Sequence, residues 1–177
     1  ALMAGVLISA VSLLDDIYDL SPKVRLTAQM LTAATGLYAL GGFSTISFGV
    51  FEVSNPLLTN TFALLMTIWF INLYNFLDGI NGYAGSEAVF LSMAGVVLFG
   101  DAIFGVLAVS VLGFLCWNFG KAKIFMGDVG STLLGYNVAI FTIYFSNRDA
   151  ENFWIWIVLF GLFWFDATVT LFRRWKN

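Results

Sequence analysis

The chain has 177 residues, 60% of them hydrophobic and only 11% charged, with a net charge of -3 and a mean hydropathy of +0.89. Soluble domains carry about 45–50% apolar and about 25% charged residues, and a domain this short has too little interior to hide the excess, so the solvent that suits it is lipid. The absence of histidine excludes a His-based triad or His metal cage within the chain, and the single cysteine, Cys116, excludes an intrachain disulfide framework.

Residues 1–14 are apolar but fall short of the about 17–25 residues that a membrane span needs, so they read as the tail of a span that begins earlier. Apolar segments at 24–42, 57–75, 86–100, 102–117, 130–146 and 153–172 predict further spans. Helices are expected, because an open sheet leaves its backbone unsatisfied in lipid. Ser21-Pro22 and Asn55-Pro56 each read as an N-cap followed by proline at the first helical position. Between them Ile46, Phe48 and Val50 alternate, the pattern of a small hairpin. The chain stops in a basic cluster, Arg173, Arg174 and Lys176, where a loop should begin. The expected fold is all-α: a polytopic transmembrane helix bundle, one membrane-embedded domain over 1–177, with about six complete spans plus the end of another, read as a fragment of a longer chain.

Alternation of these spans puts Lys23, Arg25, Lys121, Lys123, Arg173, Arg174 and Lys176 on one side and leaves only Arg148 on the other. That bias marks the first side as cytoplasmic. Asp15, Asp16, Asp19, Asp78 and Asp128 fall in loops or at span ends on the same side, with Glu87 and Asp166 just inside spans there; Glu52, Asp101, Asp149 and Glu151 fall outside. One loop aspartate is only a charge. Acids from four separate points of the chain, meeting at one membrane level, point to function.

The first cluster is Asp15-Asp16-Ile17-Tyr18-Asp19, followed by Arg25 and Gln29. Adjacent carboxylates suit a divalent cation or proton transfer to and from a phosphate, and a guanidinium can hold a phosphate by a forked contact. The second runs from Asn72 to Gly85: Asn72, Asn75 and Asp78 recur every third residue on one helix face, and Gly79, Gly82 and Gly85 let a ligand approach the backbone. The third is Lys121-Ala122-Lys123-Ile124-Phe125-Met126-Gly127-Asp128-Val129-Gly130-Ser131, in which Gly130 and Ser131 open a helix whose free N–H groups suit an anion. Asp128 there suits a metal that bridges phosphates, Phe125 can stack on a base or simply pack, and the two lysines fit the charge rule for inner loops. Asp166, Thr170 and Arg173 share a face, as a structural ion pair or as a substrate contact.

These clusters, in this order on one side of this many spans, resemble the polyprenyl-phosphate N-acetylhexosamine-1-phosphate transferases, a family that includes the phospho-N-acetylmuramoyl-pentapeptide transferases. LLDDIYDL resembles the family's first aspartate-rich loop, NLYNFLDGINGYAGSEA its second motif and AKIFMGDVGSTLLGY its third, the most specific of the three; DATVTLFRRW also fits the pattern. The resemblance implies transfer of a sugar-1-phosphate from a UDP-sugar to a polyprenyl phosphate, with Mg2+, releasing UMP, at the inner membrane of a bacterium. It implies that Asp15 and Asp16 are catalytic. Arg25 would lie near the lipid phosphate, and Asn75, Asp78 and Asn81 on the nucleotide side. Phe125 would stack on uracil, and Asp128, with Asn75 as a second oxygen donor, would hold the metal. Asn81 stands where relatives often carry a second aspartate, and the family's histidine-containing final loop lies beyond this chain. The second motif reads more like the sugar transferases of lipopolysaccharide and O-antigen synthesis than the cell-wall enzyme. The partners expected are a UDP-sugar, a polyprenyl phosphate, the membrane and a second copy of the chain as a homodimer, but no nucleic acid. A transporter or proton channel is the rival reading, though such proteins place carboxylates near the midplane rather than at one interface.

Overall fold

The computed structural model describes residues 1–176. Among them a 3-10 turn, Leu2–Ala4, leads into eight α-helices: α1 (Gly5–Tyr18), α2 (Pro22–Ala39), α3 (Pro56–Leu77), α4 (Tyr83–Phe99), α5 (Ala102–Asn118), α6 (Gly127–Ser146), α7 (Asn152–Leu159) and α8 (Gly161–Lys176). Two short antiparallel strands, β1 (Ile46–Ser47) and β2 (Glu52–Val53), form the expected hairpin, with Ile46 opposite Val53. The molecule is an all-α membrane bundle.

Both proline-led helices start where the sequence places them. Asn55 caps α3 with its side chain, accepting the N–H groups of Leu57 and Leu58 at 3.0 and 3.3 Å. Ser21 makes no such side-chain bond; its carbonyl instead accepts from Val24 and Arg25.

Helices α3 and α6 are each long and apolar enough to cross a membrane, whereas α4 and α5 are apolar but only 17 residues long. The segment 153–172, expected as one span, is two helices bent by 61°. The break follows Phe160, which is buried and packs its ring on Phe70 and Tyr74. Breaking a helix frees carbonyls, and here the Trp164 indole N–H donates to the carbonyl of Ile157 at 3.2 Å. Among the described residues, two helices are thus long and apolar enough to span a membrane, or three with the bent pair counted as one.

The core lies between α3 and α6, with α1 and α2 on one flank and the α4–α5 pair on the other. Gly135 permits this closeness, since a Cβ there would run into the main chain of Phe70 and Ile71. At one end of the bundle Asn147 ties the end of α6 to Gly42 and Ser44, just beyond α2. At the other end Asn75 of α3 meets Asp128 of α6, and Gly82 meets Asn118. Arg174 of α8 reaches this second end too, its guanidinium 5.5 Å from the centre of the Phe76 ring.

Candidate active site

Helix α1 buries Gly5, Ile8, Ser12 and Asp15, a stripe of helical period. The stripe packs on α6, where Ser12 Oγ and Thr132 Oγ1 lie 2.9 Å apart. Asp15 is the last residue of the stripe, so its carboxylate turns into the bundle. Asp16 sits about 100° further round the helix and is exposed. The adjacent aspartates therefore face two different places.

Asp15 Oδ2 lies 2.8 Å from Arg25 Nε, and its Oδ1 accepts the Leu20 N–H at 2.8 Å. The chain reverses at Asp19, which caps α1 in the left-handed conformation (φ 51°) and brings the first turn of α2 back over it. Arg25 then reaches three oxygens: Asp15 Oδ2, the Leu20 carbonyl at 3.1 Å and Asp19 Oδ1 at 3.0 Å. One turn further along α2, Gln29 exchanges two amide hydrogen bonds with Asn72, at 2.7 and 3.1 Å.

The third-residue rhythm of α3 places its polar side chains at successive contacts. Asn75 donates to Asp128 Oδ1 at 2.7 Å and to Ser131 Oγ at 3.1 Å. Asp78 caps the helix beside Gly127. Burial and then the negative charge of Asp128 push its carboxyl up to about 6, although the Gly127 main chain acts in the opposite direction. Asp16 approaches the same turn, since a Cβ on Gly127 would lie 3.2 Å from its Oδ2.

Gly127 has φ +65° and opens α6 three residues earlier than the sequence pattern suggests. The N–H groups that this helix end leaves outside the helix ladder therefore belong to its first turn, where the main chain of Gly127 bonds Asp78 and that of Asp128 bonds Asp16. Ser131 is already inside the helix and fully buried, and its hydroxyl donates to the Gly127 carbonyl.

Asp15, Arg25, Gln29, Asn75 and Asp128 line one small polar cavity of about 60 Å³. Asn72 lies on its wall and also borders an apolar groove of about 970 Å³, which runs along α3 past Trp69, Leu65 and Phe62 to the hairpin. Asp16 and Asp78 stand outside the cavity, at the Gly127–Asp128 turn. Phe125 is 74% exposed on the loop before α6, clear of the cavity. Asn81 holds the neighbouring loop, donating to the Gly120 carbonyl at 3.0 Å. Lys123 places its ammonium 5.2 Å from the centre of the Trp117 ring. Among the described residues no ion pair joins Asp166 to Arg173; the pairs found are those of Arg25 with Asp15 and Asp19.

Asn118 is the residue that motif reading misses. It is buried at the end of α5, its Oδ1 accepts the Gly82 N–H at 2.7 Å, and its amide donates to the Ile124 carbonyl at 2.9 Å. It thus braces the loop after Asp78 against the loop that carries Phe125 and Asp128. Its one signal in the sequence is an asparagine closing an otherwise apolar helix. Glu87 is also wholly buried, and neither of its carboxyl oxygens has a hydrogen-bond partner among the described residues.

Among the described residues no three His, Cys, Asp or Glu side chains are grouped to cage a metal. Magnesium does not need such a cage, since it takes one or two carboxylates and completes its shell with phosphate oxygens and water. Asp128 has one oxygen outside its bond to Asn75, and Asp16 and Asp78 add negative charge at the same turn. The donor set fits a magnesium ion that substrate phosphates complete.

Comparison with known proteins decides the family. Residues 1–146 match the sequence profile described as "Glycosyl transferase family 4". The chain belongs to this family. A probable undecaprenyl-phosphate N-acetylglucosaminyl 1-phosphate transferase of Bacillus subtilis (strain 168) is 33% identical, over 97% of this chain and 51% of the relative. A decaprenyl-phosphate N-acetylglucosaminephosphotransferase of Mycobacterium leprae is 35% identical, over 78% of this chain and 39% of the relative. A phospho-N-acetylmuramoyl-pentapeptide-transferase of Streptococcus thermophilus is 36% identical, over 64% and 33%. The chain spans about half, or less, of the length of these family 4 relatives. The profile match takes in all three motif loops, including the residues of the polar cavity.

Proposed function

We propose that the full-length protein transfers an N-acetylhexosamine-1-phosphate from a UDP-sugar to undecaprenyl or another polyprenyl phosphate, releasing UMP, at the cytoplasmic face of a bacterial inner membrane. The product would begin a lipid-linked glycan such as an O-antigen or another envelope polysaccharide. One observation carries this reading: the Asp15–Arg25 and Asn75–Asp128 pairs share a polar cavity whose wall residue, Asn72, also borders a long apolar groove. A polyprenyl phosphate has that same division, a small anion joined to a long apolar chain. The names of the family relatives support it.

The residues then divide the work. Arg25 meets the acceptor phosphate, and Asp15 sets the guanidinium while Leu20 fixes Asp15 in turn. The prenyl chain leaves past Asn72 into the groove. The donor diphosphate lies at the first turn of α6, drawn by the positive dipole end and by the main-chain N–H groups beyond Gly127 and Asp128, which themselves face Asp78 and Asp16. Asn75 holds Asp128 in place from α3, and Phe125 is free to stack on the uracil ring. Asp128, with Asn75 and the charges of Asp16 and Asp78 beside it, would hold Mg2+, which neutralises the diphosphate and improves UMP as a leaving group. In the reaction an acceptor phosphate oxygen bonds to the sugar-bearing phosphorus. The bond from that phosphorus to the bridging oxygen breaks, and UMP departs with its electron pair.

The test is incubation of membranes containing the full-length protein with labelled UDP-N-acetylhexosamine and polyprenyl phosphate. A lipid-linked sugar phosphate and an equal amount of UMP are expected. Ion or solute flux across the membrane with no such product would favour a transporter instead.

A further inference from the structure

We infer that the β1–β2 hairpin is a membrane-surface anchor: its tip sits in the headgroup and upper acyl region of the leaflet opposite the carboxylate cluster and fixes the depth of the bundle. This goes beyond the reaction and does not depend on it. Helix α3 starts three residues after β2 and ends beside Asp78. Its 22 residues span about 33 Å at 1.5 Å per residue, close to the thickness of a hydrocarbon core. The hairpin therefore stands one membrane thickness from the candidate site.

A surface loop in water would be polar at its tip. This tip is Phe48-Gly49-Val50-Phe51, closed by a hydrogen bond from the Phe48 N–H to the Phe51 carbonyl. Val50 is 92% exposed and Phe51 57%. The apolar surface does not stop there. It continues into Leu57, 76% exposed, and then into Leu58, Phe62, Leu65 and Trp69, which follow one another at helical spacing down the outward side of α3. The tip is thus the upper edge of the face that α3 turns to lipid. Between Phe43 and Asn60 the sequence has one charged residue, Glu52, so the fit is to the apolar and zwitterionic part of a bilayer rather than to anionic headgroups.

The hairpin is also fastened. The Trp154 indole N–H donates to the Ser47 carbonyl, and its ring meets Phe48 edge-on at 5.4 Å. The Ser44 N–H donates to Asn147, and the Phe43 N–H to Asn60. A tip held this firmly cannot retract, so its seat in the lipid sets where α3 begins and, one helix length away, where Asp78 and Asp128 meet the other surface. Trp154, apolar except for its one N–H, is the kind of side chain that collects at such an interface.

The experiment uses the full-length protein in phosphatidylcholine nanodiscs, with Cys116 and every other cysteine of the full-length chain replaced by serine as background. An environment-sensitive fluorophore is attached in turn at Val50→Cys and Phe51→Cys, with Asp149→Cys, an exposed loop position at the same end, as the aqueous control. Quenching is read with iodide and with lipids brominated high on the acyl chain. The expected result is strong lipid quenching at 50 and 51, with iodide quenching several-fold weaker than at 149. Iodide quenching at 50 equal to that at 149 would place the tip in water and overturn the inference. Protection from both quenchers would also overturn it, because the tip would then be covered by protein.

Discussion

Both ends of the bundle carry polar side chains, but they use them differently. At the hairpin end the polar groups mostly complete the backbone. Asn147 serves Gly42 and Ser44, Asn60 serves Phe43, Asn55 and Asp101 cap helices, and Asn152 takes the Phe145 carbonyl. At the other end polar side chains from distant segments meet one another: Arg25 with Asp15, Gln29 with Asn72, Asn75 with Asp128. Asp16, Asp78 and Asp128 crowd one turn there, and among the described residues no ion pair reaches them. Polar content alone therefore does not mark a site; the excess of side-chain charge left over once the backbone is satisfied does.

The sharpest way to break this comparison is Asp128→Asn, which keeps the oxygen that accepts from Asn75 but removes the charge. Sugar-phosphate transfer should fall by about 100-fold or more, the usual scale for losing one electrostatic contact to a developing charge, while the thermal midpoint stays close to that of the parent. Near-normal turnover at ordinary magnesium would place the metal elsewhere.

A smaller effect should separate the two adjacent aspartates. Asp15→Asn weakens the setting of Arg25, so it should raise KM chiefly for the polyprenyl phosphate. Asp16→Asn should act chiefly on the nucleotide-sugar side and on the magnesium requirement. Steady-state kinetics with each substrate varied in turn reads the difference, and identical profiles for the two variants would refute the division.

Asn118→Ala should leave the buried Gly82 N–H without its partner, costing about 1–3 kcal/mol, and should also release the half-exposed Ile124 carbonyl. KM for the UDP-sugar should rise as the two loops loosen. Asn147→Ala at the opposite end should cost less stability, because its bonds to Ser44 are exposed, and should leave kcat and both KM values unchanged. Equal damage to activity from both variants would erase the contrast between the two ends.

The smallest effect concerns Asp78. Its carboxyl titrates near 6 in the folded protein against 3.8 for the ordinary group, so the folded state holds the extra proton and loses stability as pH rises from about 4 to about 6. In EDTA, Asp78→Asn should melt higher than the parent above pH 6 and alike below pH 4, with magnesium narrowing the gap. A difference that grows on acidification would have the wrong sign.

Much of this was legible in the sequence because lipid imposes simple rules. The apolar segments, the two prolines after Ser21 and Asn55, and the alternation of Ile46, Phe48 and Val50 gave the helices and the hairpin, since each reports a local backbone preference. The motifs around Asp15, Asn75 and Asp128 likewise stand out as polar interruptions in apolar runs. The break after Phe160 did not show, because a ring docking against Phe70 and Tyr74 lies beyond local preference. The opening of α6 at Gly127 rather than Gly130 was missed for a similar reason: it rests on a positive φ that composition does not reveal.

Tertiary structure alone decided which groups act as pairs. Helical period fixes that Asp15 and Asp16 point about 100° apart, but only the packing of Ile8 and Ser12 on α6 says that Asp15 is the one turned inward. Asn75 and Asp128 are 53 residues apart, and Asn118 and Gly82 are 36 apart. Their hydrogen bonds exist because Gly135 lets α3 and α6 close together and because α4 returns through α5 to the same end of the bundle. A sequence lists the donors and acceptors that lipid cannot satisfy. Which of them satisfy each other depends on how closely the helices that carry them can approach.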